Sequence, residues 1–225
     1  MDTVDFHAHV IPKADHGSSS VEVALEQLRL AKRSDVNRII ATPHFYPHRE
    51  NPSDFLARRN YCYNKLQSHL TSELPDIRLG AEVLICDNIE EMPMLDELCI
   101  EGTKILLLEL PFTDFSDSFV TSVKYLVNRG YTVVLAHVDR YDPSHINRLL
   151  NVGAYAQVNA DALTRIFVSQ HVKKWLTEKK VFAIGSDIHG VDKKYYAHFK
   201  RALKRFQRYS SDINGFSDTA WCEKK

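Results

Sequence analysis

Seven short apolar runs alternate with seven stretches of helical pattern, and no other feature limits the fold of this chain so tightly. The runs cover residues 4–7, 38–42, 77–82, 104–109, 132–137, 155–159 and 181–186. The helical patterns cover residues 21–34, 52–73, 89–98, 116–128, 143–150, 162–178 and 193–209. Gly130 and Gly153 stand where helix C-caps are expected, just ahead of strands. Strand and helix in regular alternation make βα units and therefore a parallel sheet. At 225 residues and 44% hydrophobic content the chain can fill one substantial core. The number of units favours a single α/β domain built as a closed or distorted (β/α)7 TIM-like barrel over an open doubly wound sheet. Neither half carries the glycine-rich turn of a dinucleotide-binding sheet.

Functional residues of such barrels gather at the C-terminal strand ends. Taken in order, those ends carry His7 and His9, then His44, Glu82, Glu109, His137, Asn159, and Asp187 with His189. His16 follows in the loop after the first strand. His7 and His9 are separated by one residue, so on a strand both rings point to the same side. Metal-type donors thus occupy six of seven strand ends, a register that scattered structural histidines would not keep. His48, His69, His145, His171 and His198 fit no strand end and are expected to be ordinary surface or core residues.

Imidazole and carboxylate without thiolate suit zinc, manganese or iron. Nine candidate ligands exceed the needs of one ion, so the pattern predicts two or three divalent ions sharing a carboxylate, with Glu82 as the bridging candidate. The competing reading of Glu82 is a charge at a helix N-terminus. Arg140, just past His137, would bind substrate phosphate through its guanidinium fork, or else pair with Asp139 or Asp142. Asp139 is a candidate general acid, and Lys194 a candidate second positive charge or a solvated lysine.

Composition removes several functional classes. Lys and Arg number 29, as do Asp and Glu, so nothing favours coating nucleic acid or a membrane surface. The basic residues Lys193, Lys194, Lys200, Arg201, Lys204, Arg205 and Arg208 are expected on a solvated helix face. No apolar run reaches the roughly 18 residues that a membrane span needs, and no leader pattern opens the chain. Cys62, Cys86, Cys99 and Cys222 fall in no metal-ribbon or disulfide spacing and read as thiols of a reducing, cytoplasmic compartment. Six positions after Cys62, Cys86 and Cys99 stand Ser68, Met92 and Ile105, and the chain ends too soon after Cys222, so a thiolate phosphatase loop has no support.

In order and spacing these segments resemble the PHP (polymerase and histidinol phosphatase) superfamily. Within it they are similar to the bacterial manganese-dependent tyrosine phosphatases of capsule and exopolysaccharide operons. The resemblance is carried by Asp5-Phe-His-Ala-His-Val-Ile-Pro12, Asp15-His-Gly17, Ala41-Thr-Pro-His44, Asn51-Pro52 and Gly80-Ala-Glu-Val83. It continues in Leu108-Glu-Leu-Pro111, Leu135-Ala-His-Val-Asp-Arg-Tyr141, Gln157-Val-Asn159 and Gly185-Ser-Asp-Ile-His189. It runs from residue 1 to about 210, leaving 211–225 as a divergent C-terminal tail.

The resemblance implies a distorted barrel holding three metals, Mn²⁺ foremost with Fe or Zn as alternatives. Its ligands would be His7, His9, His16, His44, Glu82, Glu109, His137, Asp187 and His189, with Arg140 on the phosphate. It further implies attack of metal-activated hydroxide on the phosphotyrosine of a protein, such as a bacterial tyrosine autokinase controlling polysaccharide export. This chain departs from the family in having His16 where an Asp is usual, Lys194 where an arginine is usual, and no C-terminal Asn-Pro segment. Alternatives are a small-molecule phosphatase of the histidinol-phosphate type, a TatD-like metal nuclease, or a metal-bearing scaffold without turnover. An amidohydrolase is disfavoured because Glu109 stands where a bridging lysine would be. Short loops at 112–117 and 139–143 suit an open site that a protein-borne tyrosine can enter.

Overall fold

A computed structural model describes residues 3–112, 114–197 and 199–207. The tail expected at 211–225, Cys222, His198 and Arg208 lie outside the described residues. The first strand, β1 (Val4–Ala8), is buried along its whole length, as parallel strands covered on both faces are. Helix α1 (Val21–Arg33) follows, with Ser20 as N-cap accepting from the Val23 N–H and Ala24, Leu28 and Ala31 facing the core. Next come β2 (Arg38–Ala41), β3 (His44–Phe45) and α2 (Pro52–Gln67), which is opened by an Asn51 cap and Pro52. Strands β4 (Asp76–Leu79) and β5 (Glu82–Leu84) precede a 3-10 turn at Ile89–Glu91 and the short α3 (Leu95–Leu98).

The second half repeats the unit more regularly. It contains β6 (Ile105–Glu109), α4 (Asp117–Asn128), β7 (Thr132–Leu135), a 3-10 turn at Val138–Arg140 and α5 (Pro143–Asn151). Then follow β8 (Tyr155–Asn159), α6 (Ala160–Thr164), α7 (Gln170–Thr177), β9 (Val181–Gly185), α8 (Lys194–Ala197) and α9 (Phe199–Gln207). As expected, Gly130 and Gly153 end α4 and α5 with φ of 86° and 105°, a region costly for side chains.

Pairing is parallel throughout, but the ladder is not one closed ring. The strands form a three-stranded sheet, β1-β2-β4, and a six-stranded sheet, β3-β5-β6-β7-β8-β9. The expected strand at 77–82 is broken in two, and the one at 38–42 stops at Ala41 and is followed by a separate short strand, β3; in both places the two pieces belong to different sheets. One break falls at Thr42-Pro43, where proline has no N–H for the ladder. The other falls at Gly80-Ala81, opposite the first. Across both breaks the main chain still meets, with the Gly80 N–H on Ala41 O (2.9 Å) and the Glu82 N–H on Pro43 O (3.1 Å). At the other edge β1 and β9 approach without a ladder. The Asp187 N–H donates to His7 O (2.8 Å) and the His9 N–H to Ile188 O (3.3 Å).

Several helical stretches are shorter than the sequence pattern suggests. The 52–73 stretch ends at Gln67. The 89–98 stretch is divided around Pro93, and the 162–178 stretch around residues 165–169. Proline at 93 interrupts the hydrogen-bonding ladder. The core divides by strand alternation. Ile105, Leu107, Val134, Ala136 and Phe182 meet Val4, Phe6 and Ile40 in one small cluster drawn from both sheets. Neighbours such as Leu106, Leu108, Val133 and Leu135 face the helices. No helix among the described residues is long and apolar enough to cross a membrane.

Candidate metal centre

The C-terminal strand ends converge on a buried group of imidazoles and carboxylates. Glu82 opens β5 and is fully buried, so it is not a helix N-terminal charge. Its Oε2 lies 2.9 Å from His44 Nδ1, 3.2 Å from His7 Nε2 and 3.3 Å from His9 Nε2. Its Oε1 lies 2.7 Å from His137 Nε2. Glu109 flanks the group, 3.6 Å from His44 and 3.7 Å from His137. Asp187 Oδ1 stands 3.3 Å from His9 Nε2 and 3.5 Å from His189 Nδ1. His16 is the outermost member. It is exposed, with its ring stacked 4.9 Å from His44 and 4.6 Å from His189. All nine sequence-derived candidates are therefore near one another.

Three triads of these residues place ligand atoms close enough to hold an ion: His9, His44 and His189; His7, His9 and Glu82; and His44, Glu82 and Glu109. His9, His44 and Glu82 each belong to two triads, as a multi-ion site sharing ligands requires.

The hydrogen bonds on the far side of each ring fit this use. His7 Nδ1 donates to Gln157 Oε1 (3.0 Å), His9 Nδ1 to Asp15 Oδ2 (2.6 Å) and His189 Nδ1 to the Asp187 carbonyl (3.0 Å). Each such bond leaves Nε2 with a lone pair, the arrangement that orients metal-binding histidines. The Nε2 atoms of His7 and His9 then face each other at 3.1 Å, while Glu82 Oε2 and His189 Nε2 are buried without a hydrogen-bond partner. Buried polar atoms left unpaired are costly. A cation between them would satisfy all of them, so the donor set fits divalent metal.

Backbone shape is bent to the same end. His137 and Asp187 adopt left-handed φ of 31° and 52°, conformations that non-glycine residues keep only where the surroundings hold them. Gly17 lets its loop press on His9, since a Cβ there would lie 2.1 Å from His9 Cβ.

Electrostatics record an excess of negative charge waiting for cations. Burial works against a charged His44, but Glu109 and Glu82 outweigh it and raise its pKa from 6.5 to about 9. Burial likewise opposes charge on His9, yet Asp15, Asp187 and Glu82 raise it well above the ordinary range. Asp187 is held far below the usual carboxylate range by His9 and His7, despite burial. A metal bound here would therefore have to displace protons, so its affinity would rise with pH. The sign for stability is the reverse in the metal-free protein. A His with raised pKa stabilises fully below 6.5, and that contribution is lost as pH climbs to about 9. Chelator-treated protein is expected to show a falling thermal midpoint across that window, while the increment produced by added Mn²⁺ grows. A metal increment independent of pH would contradict the proton competition.

Arg140, on the 3-10 turn after β7, forms an ion pair with Asp187 Oδ2 and keeps its guanidinium partly exposed at the rim. It pairs with neither Asp139 nor Asp142, the alternatives raised by the sequence. Asp139 Oδ1 accepts from the Asn159 N–H (3.0 Å), and burial pushes its carboxyl pKa up. Lys194 Nζ is exposed and 2.8 Å from Asp192 Oδ2. Both Arg140 and Lys194 line a cavity of about 310 Å³ together with Asn159, Asp161, Ser186 and Tyr195.

Sequence reasoning did not assign the residues that hold the candidate ligands. Asp15 fixes His9 and also accepts the His44 N–H (3.0 Å). Gln157 fixes His7 and accepts the His137 N–H (2.6 Å). Asp5 accepts from Tyr196 Oη (2.8 Å) and the Ser186 N–H (2.8 Å), tying β1 to the end of β9. The available signal was strand periodicity: Asp5 precedes His7 by two residues, and Gln157 precedes Asn159 by two, on the same faces.

Fold and site together define a parallel α/β protein with a histidine–carboxylate centre capable of holding several metal ions at its strand ends. The CpsB/CapC family, described by capsular polysaccharide synthesis, is matched over residues 3–212, and this chain belongs to it. The tyrosine-protein phosphatase CpsB of Streptococcus agalactiae is 24% identical over 204 residues, covering 84% of each chain. The tyrosine-protein phosphatase YwqE of Bacillus subtilis is 28% identical over 216 residues, covering 89% of this chain and 82% of its own. Among solved structures, a chain from the work on YwqE of Bacillus subtilis and CpsB of Streptococcus pneumoniae, described as unique metal-dependent tyrosine phosphatases, superposes with a TM-score of 0.77. It is 24% identical and covers 97% of this chain and 92% of its own. A TatD family hydrolase from Entamoeba histolytica shares the fold more distantly, with a TM-score of 0.55 at 12% identity over 98% of each chain.

Proposed function

We propose that this protein is a metal-dependent protein-tyrosine phosphatase acting in capsular or exopolysaccharide synthesis. The observation that carries the reading is the lone-pair geometry of the buried centre with Arg140 poised on its rim. Two or three divalent ions, Mn²⁺ foremost and Fe or Zn as alternatives, would be held by His7, His9, His16, His44, Glu82, Glu109, His137, Asp187 and His189. Bound there, they supply an activated water nucleophile at neutral pH and neutralise phosphate charge.

The chain's own groups do the rest. Arg140, oriented by Asp187, grips the phosphate oxygens through its planar fork and stabilises charge developing on them. Lys194 adds a second positive charge from the wall of the same cavity. Asp139, its carboxyl pushed up by burial, is the candidate to hold a proton for the leaving phenolate. Gln157 and Asp15 keep the rings of His7 and His9 turned toward the centre. The substrate is a tyrosine-phosphorylated protein, with a bacterial tyrosine autokinase in the cytoplasm as the partner. We also read the two sheets as one distorted (β/α)7 barrel. That reading is supported by the main-chain hydrogen bonds linking β1 to the end of β9 and by the core cluster to which both sheets contribute.

The deciding assay offers Mn²⁺-loaded protein three substrates: a phosphotyrosyl peptide, histidinol phosphate and single-stranded DNA. Preference for the peptide is expected. Turnover of histidinol phosphate alone would move the protein to the small-molecule phosphatases, and cleavage of DNA alone to the TatD-like nucleases.

A further inference from the structure

The metal centre continues toward solvent as a ladder of aromatic rings that its chemistry leaves unused. Tyr141 follows Arg140 at the end of the 3-10 turn, and its ring lies 5.6 Å from the ring of His137 at an interplanar angle of 32°. Phe112 lies 5.5 Å beyond Tyr141, tilted 31°. Both spacings fall in the range of favourable ring pairs. Phe112 is nevertheless 71% exposed. It stands three residues after Glu109, directly behind Pro111, so the end of β6 delivers it to the rim of the site.

An exposed Phe contributes little to the core, and the neighbouring phenylalanines show the contrast. Phe119 is buried in α4, and Phe115 stacks on His145 at 4.2 Å. Phe112 does neither, and keeps an open face beyond Tyr141.

We infer that Phe112 and Tyr141 form an aromatic ledge that binds the phenyl ring of the substrate phosphotyrosine and so selects aryl over alkyl phosphate esters. The inference rests on the phosphotyrosine reading above and deepens it. Tyr141 packs on His137 of the centre itself, so the ring of a phosphotyrosine whose phosphate sits on the metals can reach Tyr141 and Phe112 beyond it. Phosphoserine and phosphothreonine have no ring to lay on the ledge, and their shorter side chains keep the peptide backbone nearer the rim. Tyr141 supports the ledge from beneath, its hydroxyl buried without a hydrogen-bond partner, while Phe112 supplies the open face. A further aromatic, Tyr46, stacks on His44 at 5.1 Å with Arg49 over its ring, so the mouth carries rings on the β3 loop as well.

The test compares wild type and Phe112→Ala on a phosphotyrosyl peptide and on the same peptide carrying phosphoserine, with metal content measured in parallel and Phe112→Trp as rescue. Phe112→Ala is expected to raise KM for the phosphotyrosyl peptide roughly threefold to tenfold, the value of one aromatic pair, with kcat little affected. The ratio of phosphotyrosyl to phosphoseryl kcat/KM falls with it, and Phe112→Trp restores it. An unchanged ratio in a metal-replete Phe112→Ala protein would overturn the ledge while leaving the phosphatase reading intact. A wild type that does not hydrolyse the phosphotyrosyl peptide would overturn the reading itself, and the ledge with it.

Discussion

Glu82→Gln protein is expected to lose bound divalent metal and to hydrolyse a phosphotyrosyl peptide on the order of a thousandfold more slowly, because metal stabilisation of transition-state charge is worth several kcal/mol. No other carboxylate among the described residues lies so close to four imidazoles. Its two oxygens lie between 2.7 and 3.3 Å from His137, His44, His7 and His9. Glutamine keeps the volume but removes the negative charge and turns one acceptor into a donor aimed at imidazole nitrogens. Metal analysis of the purified protein beside steady-state kinetics is the check. Normal metal content with near-normal kcat/KM would show that Glu82 is a structural partner of the histidines and that the ions, if bound, sit elsewhere.

Arg140→Ala is expected to separate binding of metal from turnover. Its guanidinium is at the rim, paired with Asp187 and outside the triads that can hold an ion, so metal content should stay near that of wild type. Activity should fall by about a hundredfold to a thousandfold, the usual effect of deleting one preorganised donor to a developing oxyanion. Arg140→Lys should recover little, since a point charge lacks the fork that grips two phosphate oxygens. A parallel loss of metal would change the assignment: Arg140 would then act by orienting Asp187. Together the two variants form a contrast, one losing ions and turnover and the other turnover alone.

The candidate donors were legible in the chain because metal chemistry restricts residue type and strands restrict direction. His, Glu and Asp at successive strand ends, with His7 and His9 in alternation, could be assigned before any coordinate was known. Glu82 illustrates the limit. The sequence placed it at the end of a strand over 77–82, whereas it begins β5 after a break at Gly80-Ala81. It is buried there within 3.3 Å of four imidazoles, the position from which a carboxylate could bridge ions. The short β3 and the split at Gly80-Ala81 were not legible, because the run at 77–82 reads through Gly80 and nothing in the chain signals that pairing partners change there. Asp15 and Gln157 were missed for a different reason. Their residue types do not set them apart from many other Asp and Gln in the chain, and their role shows only in the atoms they touch.

What the sequence by itself determined was local and chemical: alternating strands and helices, their parallel sense, the helix caps, the donors at the strand ends and the absence of a thiolate motif. Those follow from side-chain periodicity, backbone preference and ligand chemistry, each acting over a few residues. What only the tertiary structure decided was mutual placement. It divided the strands between two sheets, set His7 Nε2 and His9 Nε2 at 3.1 Å, paired Arg140 with an aspartate 47 residues away and left Phe112 open at the rim. Distances between groups far apart in the chain depend on how whole elements pack, and no window of sequence encodes that packing by itself.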